Sequence, residues 1–177
     1  MAHCRFVVLA FKSVRQYYAP VAHVLRLLDV FRRMVNNSIR VGLLNDVSSL
    51  RRLSLHSYNQ LVQYDSPSCY RLCAISRAAG ILAARKKSIP RGFAARTPYS
   101  FRQQLVSCYG FKIENGGLRI PVSRGKRFSI SLTKRVLEVI PQPGVEVRSF
   151  TLTRKTEPLH RPRHSPITGQ LHGRRGP

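Results

Sequence analysis

Evenly spaced arginines are the residues of this sequence that most clearly indicate a chemistry. Arg26, Arg33 and Arg40 recur every seven residues, so on an α-helix they share one face. The only acidic residue before Asp46 is Asp29. A solvated helix surface is the plain alternative, but guanidinium groups with so few nearby carboxylates are typical of a surface that follows nucleic-acid phosphates. We expect this row to lack salt-bridge partners and to contact phosphates.

Other basic residues extend the candidate phosphate surface beyond this helix. They come from a later helical region and its loop, and from a strand region: Arg71, Arg77, Lys86, Lys87 and Arg91, with Arg124, Lys126 and Arg127. Lys and Arg total 31 against 7 Asp and Glu, a formal net charge of +24. Such self-repulsion is tolerated most easily when a polyanion neutralises it, so nucleic acid is the leading partner and an anionic membrane surface the second.

Metal and acid–base chemistry are disfavoured by the remaining residue types. Cysteines stand at positions 4, 69, 73 and 108, and Cys69 and Cys73 would share a helix face. A zinc site would need a second close pair of ligands, which the sequence lacks. Seven scattered acids offer no paired carboxylates. We therefore expect small packing cysteines, a reducing compartment, no cofactor, no small-molecule substrate and no catalytic residue.

Hydrophobic periodicity predicts one strand and then three helices. The strand covers 5–11, a long helix begins at Pro20, and two further helices cover about 47–63 and 67–87. The buried face of the long helix follows the spacing i, i+3, i+4, i+7: Val21, Val24, Leu25, Leu28, Phe31, Val35 and Ile39. These elements would position the arginines of the long helix on its opposite, solvent side.

The third helix has its own start signal and packing face. Asp65 or Ser66 is expected to cap it, with Pro67 in its first turn. Its packed face is predicted to carry small residues and one leucine: Cys69, Leu72, Cys73, Ser76, Ala79 and Ala83. A surface loop over 88–100 and a short helix over 101–108 would follow. In that loop Phe93 and Tyr99 would either stack on bases or anchor the loop to the core.

The segment 110–155 reads as short alternating strands. Asn115-Gly116-Gly117 predicts a tight hairpin turn, and Phe128, Ile130 and Leu132 alternate with polar residues. After a break at 141–144, the alternation slips by one residue at Arg148-Ser149, which predicts a β-bulge. Together these features predict a small antiparallel barrel or sandwich.

Several short motifs, taken in order, resemble a known family. They are an opening strand at 5–11, Pro20, a helix with Leu27-Leu28, Arg32-Arg33 and Asn36, then Ile89-Pro90, Gly117-Leu118-Arg119-Ile120-Pro121, Gly125-Lys126 and the segment 147–154. Over about residues 5–155 the chain resembles the amino-terminal half of OrfB/TnpB transposases, which are RNA-guided DNA endonucleases. The family helix ends in R-x-x-Y-N, and Val35 stands here in place of the tyrosine.

The resemblance implies an α+β architecture. Residues 1–19 would hold the first strand of an oligonucleotide-binding-like wedge barrel, 20–108 an inserted helical recognition domain, 109–155 the remaining barrel strands, and 156–177 a disordered tail. Such modules bind a guide RNA and a target DNA through charge and shape, while guide pairing reads the sequence. The implied location is the cytoplasm, in association with the nucleoid, and a full-length transposase is a further implied partner.

The sequence departs from that family in one important respect. The family continues into a RuvC-like nuclease with three metal-binding acids and a zinc ribbon, whereas only Glu157 follows residue 155 here. We therefore expect a truncated nucleic-acid-binding fragment that cannot cleave alone. The alternatives are a ribosome-associated or organellar RNA-binding protein, a nuclease with an unrecognised site, and a decayed product.

Overall fold

A computed structural model describes residues 10–93, 96–123, 125–142, 145–154 and 167–175. The helices are α1 (Ala22–Leu44), α2 (Leu50–Ser57), α3 (Cys69–Ser88) and α4 (Lys134–Val139), with short 3-10 helices at Asn59–Gln63 and Ile89–Arg91. The strands are β1 (Ala10–Tyr18), β2 (Gln104–Ser107), β3 (Lys112–Glu114), β4 (Gly117–Ser123), β5 (Lys126–Ser131), β6 (Val145–Arg154) and β7 (Ile167–Arg175). Among these residues, no helix is long and apolar enough to cross a membrane.

The long helix α1 carries the buried face that its periodicity predicts. Val24, Leu28, Phe31, Val35 and Ile39 are buried, while Val21 and Leu25 are half-buried. One side of α1 packs against α2 and α3, and it also contacts β2, β4 and β6. Burial of this apolar stripe fixes α1 between the helices and the strands, so its arginine face is left to solvent.

Helix α3 is rotated relative to the predicted packing face. Its buried residues are Tyr70, Ala74, Ile75, Ala78, Ala79 and Leu82, whereas Leu72 is 45% exposed and Ser76 is exposed. Tyr70 accounts for the rotation, because its buried ring is large and its hydroxyl donates to the Pro121 carbonyl oxygen at 2.9 Å. The predicted cap is also wrong, since the helix begins after Ser68, which makes no side-chain capping hydrogen bond.

The described strands form two antiparallel sheets rather than one barrel. The four-stranded sheet has the order β1-β7-β6-β2 and the three-stranded sheet the order β3-β4-β5. Neither sheet closes within the described part of the chain, so the predicted barrel is not confirmed. The first strand is described over Ala10–Tyr18 and so extends beyond the predicted end at residue 11, while residues 1–9, including most of the predicted strand 5–11, lie outside the described residues. Its polar inner residue Gln16 is buried because it bonds Ser131 and Thr133 backbone atoms, a pairing that hydrophobic alternation does not reveal.

The predicted tail contains a strand. Residues Ile167–Arg175 form β7, which lies between β1 and β6 and pairs with both. The prediction of disorder is therefore wrong for this segment, while 155–166 and 176–177 lie outside the described residues. Low apolar content does not prevent a strand, because two flanking strands satisfy its backbone hydrogen bonds.

The predicted bulge is confirmed, since the β6–β7 register shifts between Val147 and Ser149.

The turn between β3 and β4 has the geometry that its sequence predicts. The predicted hairpin is confirmed, with Asn115 at φ 50° and Gly116 at φ 69° between β3 and β4. Positive φ at both central residues is the type I′ geometry that Asn-Gly favours.

The predicted helix over 101–108 is wrong, because Gln104–Ser107 is β2 and pairs with β6. The structure also adds α4, which the sequence reasoning missed.

Candidate nucleic-acid interface

A cleft of about 570 Å³ separates the start of α1 from the β4–β5 hairpin. It is lined by His23, Arg26, Leu27, Asp65, Val122, Ser123, Lys126, Arg127 and Phe128. Three of the predicted phosphate ligands, Arg26, Lys126 and Arg127, therefore line one site, although about a hundred residues separate Arg26 from the other two in the chain. Arg124 lies outside the described residues.

The cleft walls are held together by an aromatic contact. The rings of His23 and Phe128 meet edge to face, with centroids 4.6 Å apart and an interplanar angle of 74°. This geometry is one of the favoured arrangements for aromatic pairs, and the contact joins the hairpin to α1. His23 and Phe128 carry no sequence signal for this contact, since no local pattern links them.

The charge of the cleft is strongly positive. Arg26 donates to Asp65 at 2.9 Å, and both side chains are mostly exposed. Lys126 and Arg127 are exposed and have no carboxylate within 4.0 Å in the described part of the chain. Among the described lining residues, three cations thus face one carboxylate. Such a site attracts an anion and keeps two of its cations free to bind it.

The arginine row on α1 differs from its prediction. Arg26 pairs with Asp65, and Arg33 pairs with Asp29 at 3.2 Å. Arg40 donates to the side-chain oxygen of Asn37 at 3.1 Å. The expectation that this row lacks salt-bridge partners is wrong, because Asp65 reaches Arg26 from another element and Asp29 lies one turn before Arg33. All three arginines nevertheless remain exposed.

A second concave surface lies along the other half of α1. This apolar groove of about 590 Å³ is lined by Arg33, Asn36, Asn37, Ile39, Arg40, Leu43, Leu44, Tyr64, Thr97, Pro98 and Tyr99. It brings Arg33 and Arg40 beside two aromatic rings. The arginine row is therefore divided, with Arg26 in the basic cleft and the other two along the groove.

The loop that forms one wall of the groove is tied to α1 by side chains. The Asn36 amide donates to the Ser100 carbonyl oxygen at 3.0 Å, and its oxygen accepts from the Ser100 amide at 2.8 Å. Arg32 donates to the Tyr99 hydroxyl at 3.1 Å and to Asp29 at 2.7 Å. The hydrogen bond from Arg32 to Asp29, together with the charges of Arg32 and Arg33, holds the pKa of Asp29 below its ordinary value, although burial acts in the opposite direction.

The predicted ligands on α3 divide into packed and exposed residues. Arg71 lies over the Tyr58 ring, 5.8 Å from its centroid, and half-buried Arg77 donates to Gln104 at 2.9 Å. Burial, with a smaller effect from Arg102, lowers the pKa of Arg77. These two guanidinium groups join α3 to its neighbours. Lys86, Lys87 and Arg91 are exposed, but they line neither the cleft nor the groove.

Three cysteines, Cys69, Cys73 and Cys108, belong to the described residues and are free thiols, whereas Cys4 lies outside them. Cys73 Sγ lies 3.6 Å from Ser107 Oγ, and burial raises the pKa of the Cys69 thiol. Within the described ranges, no group of three or more His, Cys, Asp or Glu residues could hold a metal ion.

Comparisons with known proteins add no family assignment. No protein-family model matches the sequence, and no curated protein matches it. The resemblance to the OrfB/TnpB family therefore rests on the motifs alone and stays a prediction.

Proposed function

We propose that this protein binds nucleic acid and that the basic cleft between α1 and the β4–β5 hairpin contacts its phosphates. The observation that carries the proposal is the convergence of Arg26, Lys126 and Arg127 on one cleft, where Asp65 is the single carboxylate among the described lining residues. A net charge of +24 adds long-range attraction for a polyanion. Lysine and arginine side chains placed this way bind phosphates without reading base sequence.

The finer proposal follows the family resemblance. The ligands would be a guide RNA and a target DNA, held by a surface that corresponds to the amino-terminal half of a TnpB-like transposase. A ribosome-associated RNA-binding protein would use the same kind of surface. Co-sedimentation with ribosomes that needs no transposon-end RNA would favour that second identity, whereas retention of such an RNA during purification would favour the first.

Salt dependence tests the coarser proposal directly. Release of counterions makes phosphate binding weaken with salt, by about 10³ to 10⁵ between about 50 and 200 mM when six or more phosphates are engaged. Fluorescence anisotropy with a labelled oligonucleotide measures this dependence. An affinity that stays constant across that range would contradict phosphate binding.

Paired variants test the position of the site. Lys126→Ala with Arg127→Ala removes two exposed cations from the cleft, and Lys134→Ala with Arg135→Ala removes the same two residue types from exposed positions of α4. Both variants lower the net charge equally. We expect the cleft variant to lose more affinity and to show a salt dependence reduced by about two units of slope. Equal losses in the two variants would contradict a cleft-centred site.

A further inference from the structure

The apolar groove along α1 differs from the basic cleft in its chemistry. Its lining combines the aliphatic residues Ile39, Leu43 and Leu44 with the rings of Tyr64 and Tyr99, and Arg33 and Arg40 are its charged residues. A volume of about 590 Å³ lies within the range of roughly 300–1,000 Å³ that is usual for small-ligand sites. The groove therefore fits a flat apolar group that is attached to an anionic chain.

Tyr99 is held in place and yet leaves its ring open. Its hydroxyl accepts a hydrogen bond from Arg32, and the backbone of the next residue, Ser100, is bound on both sides by Asn36. The side chain is nevertheless 61% exposed, so it does not anchor the loop by burial. A ring that is fixed before binding loses little conformational entropy when a ligand stacks on it.

The second ring completes the wall of this surface. Tyr64 is half-buried and packs against the core at the end of the 3-10 helix. Arg33 and Arg40 are exposed beside these rings, and only Arg33 has a carboxylate partner, Asp29, within 4.0 Å among the described residues. A strand that lays a base on Tyr99 can thus place its phosphates near these guanidinium groups.

We propose that this groove binds an unstacked nucleobase of a single-stranded segment, with Tyr99 as the stacking surface and Arg33 and Arg40 as phosphate contacts. The inference rests on the proposed nucleic-acid binding and deepens it, because it adds a base contact in the groove to the phosphate contacts of the basic cleft. Stacking between a base and an aromatic ring tolerates any sequence and strengthens binding considerably. Bases that remain paired in a duplex cannot enter the groove.

The test compares two strands that have equal numbers of phosphates. The full chain is titrated with a labelled 12-nucleotide oligothymidylate and with an abasic strand of the same length. We expect the base-containing strand to bind about tenfold more tightly. Tyr99→Ala removes this preference while affinity for the abasic strand is unchanged. Tyr99→Phe, which keeps the ring and loses only the Arg32 contact, retains most of the preference.

A matched aromatic residue supplies the control. Tyr109 is exposed to a similar extent, at 59%, and lies outside both the groove and the cleft. Tyr109→Ala is expected to keep the full base preference. If Tyr99→Ala keeps that preference, or lowers the affinity for both strands equally, the groove is not a base-binding site. If wild-type protein binds neither strand, the proposed function itself fails, and the two failures are therefore distinct.

Discussion

Asn36 and Ser100 form a two-way hydrogen bond between α1 and a loop 64 residues later in the chain. The side-chain amide donates at 3.0 Å and the side-chain oxygen accepts at 2.8 Å, so both backbone groups of Ser100 are satisfied. Ser100 itself is buried, which means that water cannot replace these bonds easily. One side chain thus fixes the loop that carries Tyr99.

We expect Asn36→Ala to lower the free energy of unfolding by about 1–3 kcal/mol, because two buried backbone groups lose their partners. Urea denaturation measures the change. Asn45→Ala is the control, since its amide makes one local bond, to the Val41 carbonyl oxygen, at the exposed end of the same helix. Equal losses of unfolding free energy in the two variants would show that the Ser100 contact contributes no more to stability than the local bond of Asn45.

A second prediction concerns Asp65, the carboxylate that lines the described part of the basic cleft. Asp65→Asn frees Arg26 and makes the cleft more positive, so we expect tighter binding of oligonucleotides and a steeper salt dependence. Stability should change by less than about 1 kcal/mol, because exposed ion pairs contribute little. Glu138→Gln makes the same change in charge on exposed α4. Tighter binding in both variants to the same degree would indicate a general charge effect instead of a local one.

A third prediction uses two glycines in helices. A Cβ added at Gly42 would overlap Leu82 Cδ1 and lie 2.9 Å from the Val47 carbonyl oxygen, whereas one added at Gly80 would meet nothing within 4 Å. We expect Gly42→Ala to destabilise the protein by about 1–3 kcal/mol through overpacking. Gly80→Ala should stabilise it by about 0.5–1 kcal/mol, because alanine favours a helix. Thermal unfolding measures both changes. Shifts of the melting temperature in the same direction for the two variants would contradict the prediction.

The sequence predicts local geometry well where one residue type determines it. The residue types Asn115 and Gly116 predict the tight turn because both tolerate positive φ. The periodic apolar residues of α1 predict which face of that helix is buried. The bulge near Arg148 follows from a one-residue slip in alternation. Each of these signals lies within a few residues, so no knowledge of distant partners is needed.

Features that depend on distant partners were predicted poorly. Strand β7 has little apolar character and exists as a neighbour of β1 and β6, so composition suggested disorder instead. Asp65 has the features of a helix cap but pairs with Arg26, 39 residues earlier. The cleft itself brings Arg26 and Lys126 together through tertiary packing, and no spacing rule predicts that meeting.

The last prediction follows from the lowered pKa of Asp29. Its hydrogen bond with Arg32 favours the charged carboxylate in the folded state, while the pKa of Asp29 in the unfolded chain stays near 3.8. The stability that this pair provides is therefore complete above about pH 5 and is lost as the pH falls through the lower, folded pKa. We expect the free energy of unfolding of Asp29→Asn to decline less between pH 5 and about pH 3 than that of the wild type. Arg32→Gln should reduce the decline in part, because Arg33 still contacts Asp29. An equally steep decline in Asp29→Asn and wild type, measured by urea denaturation at each pH, would contradict this assignment.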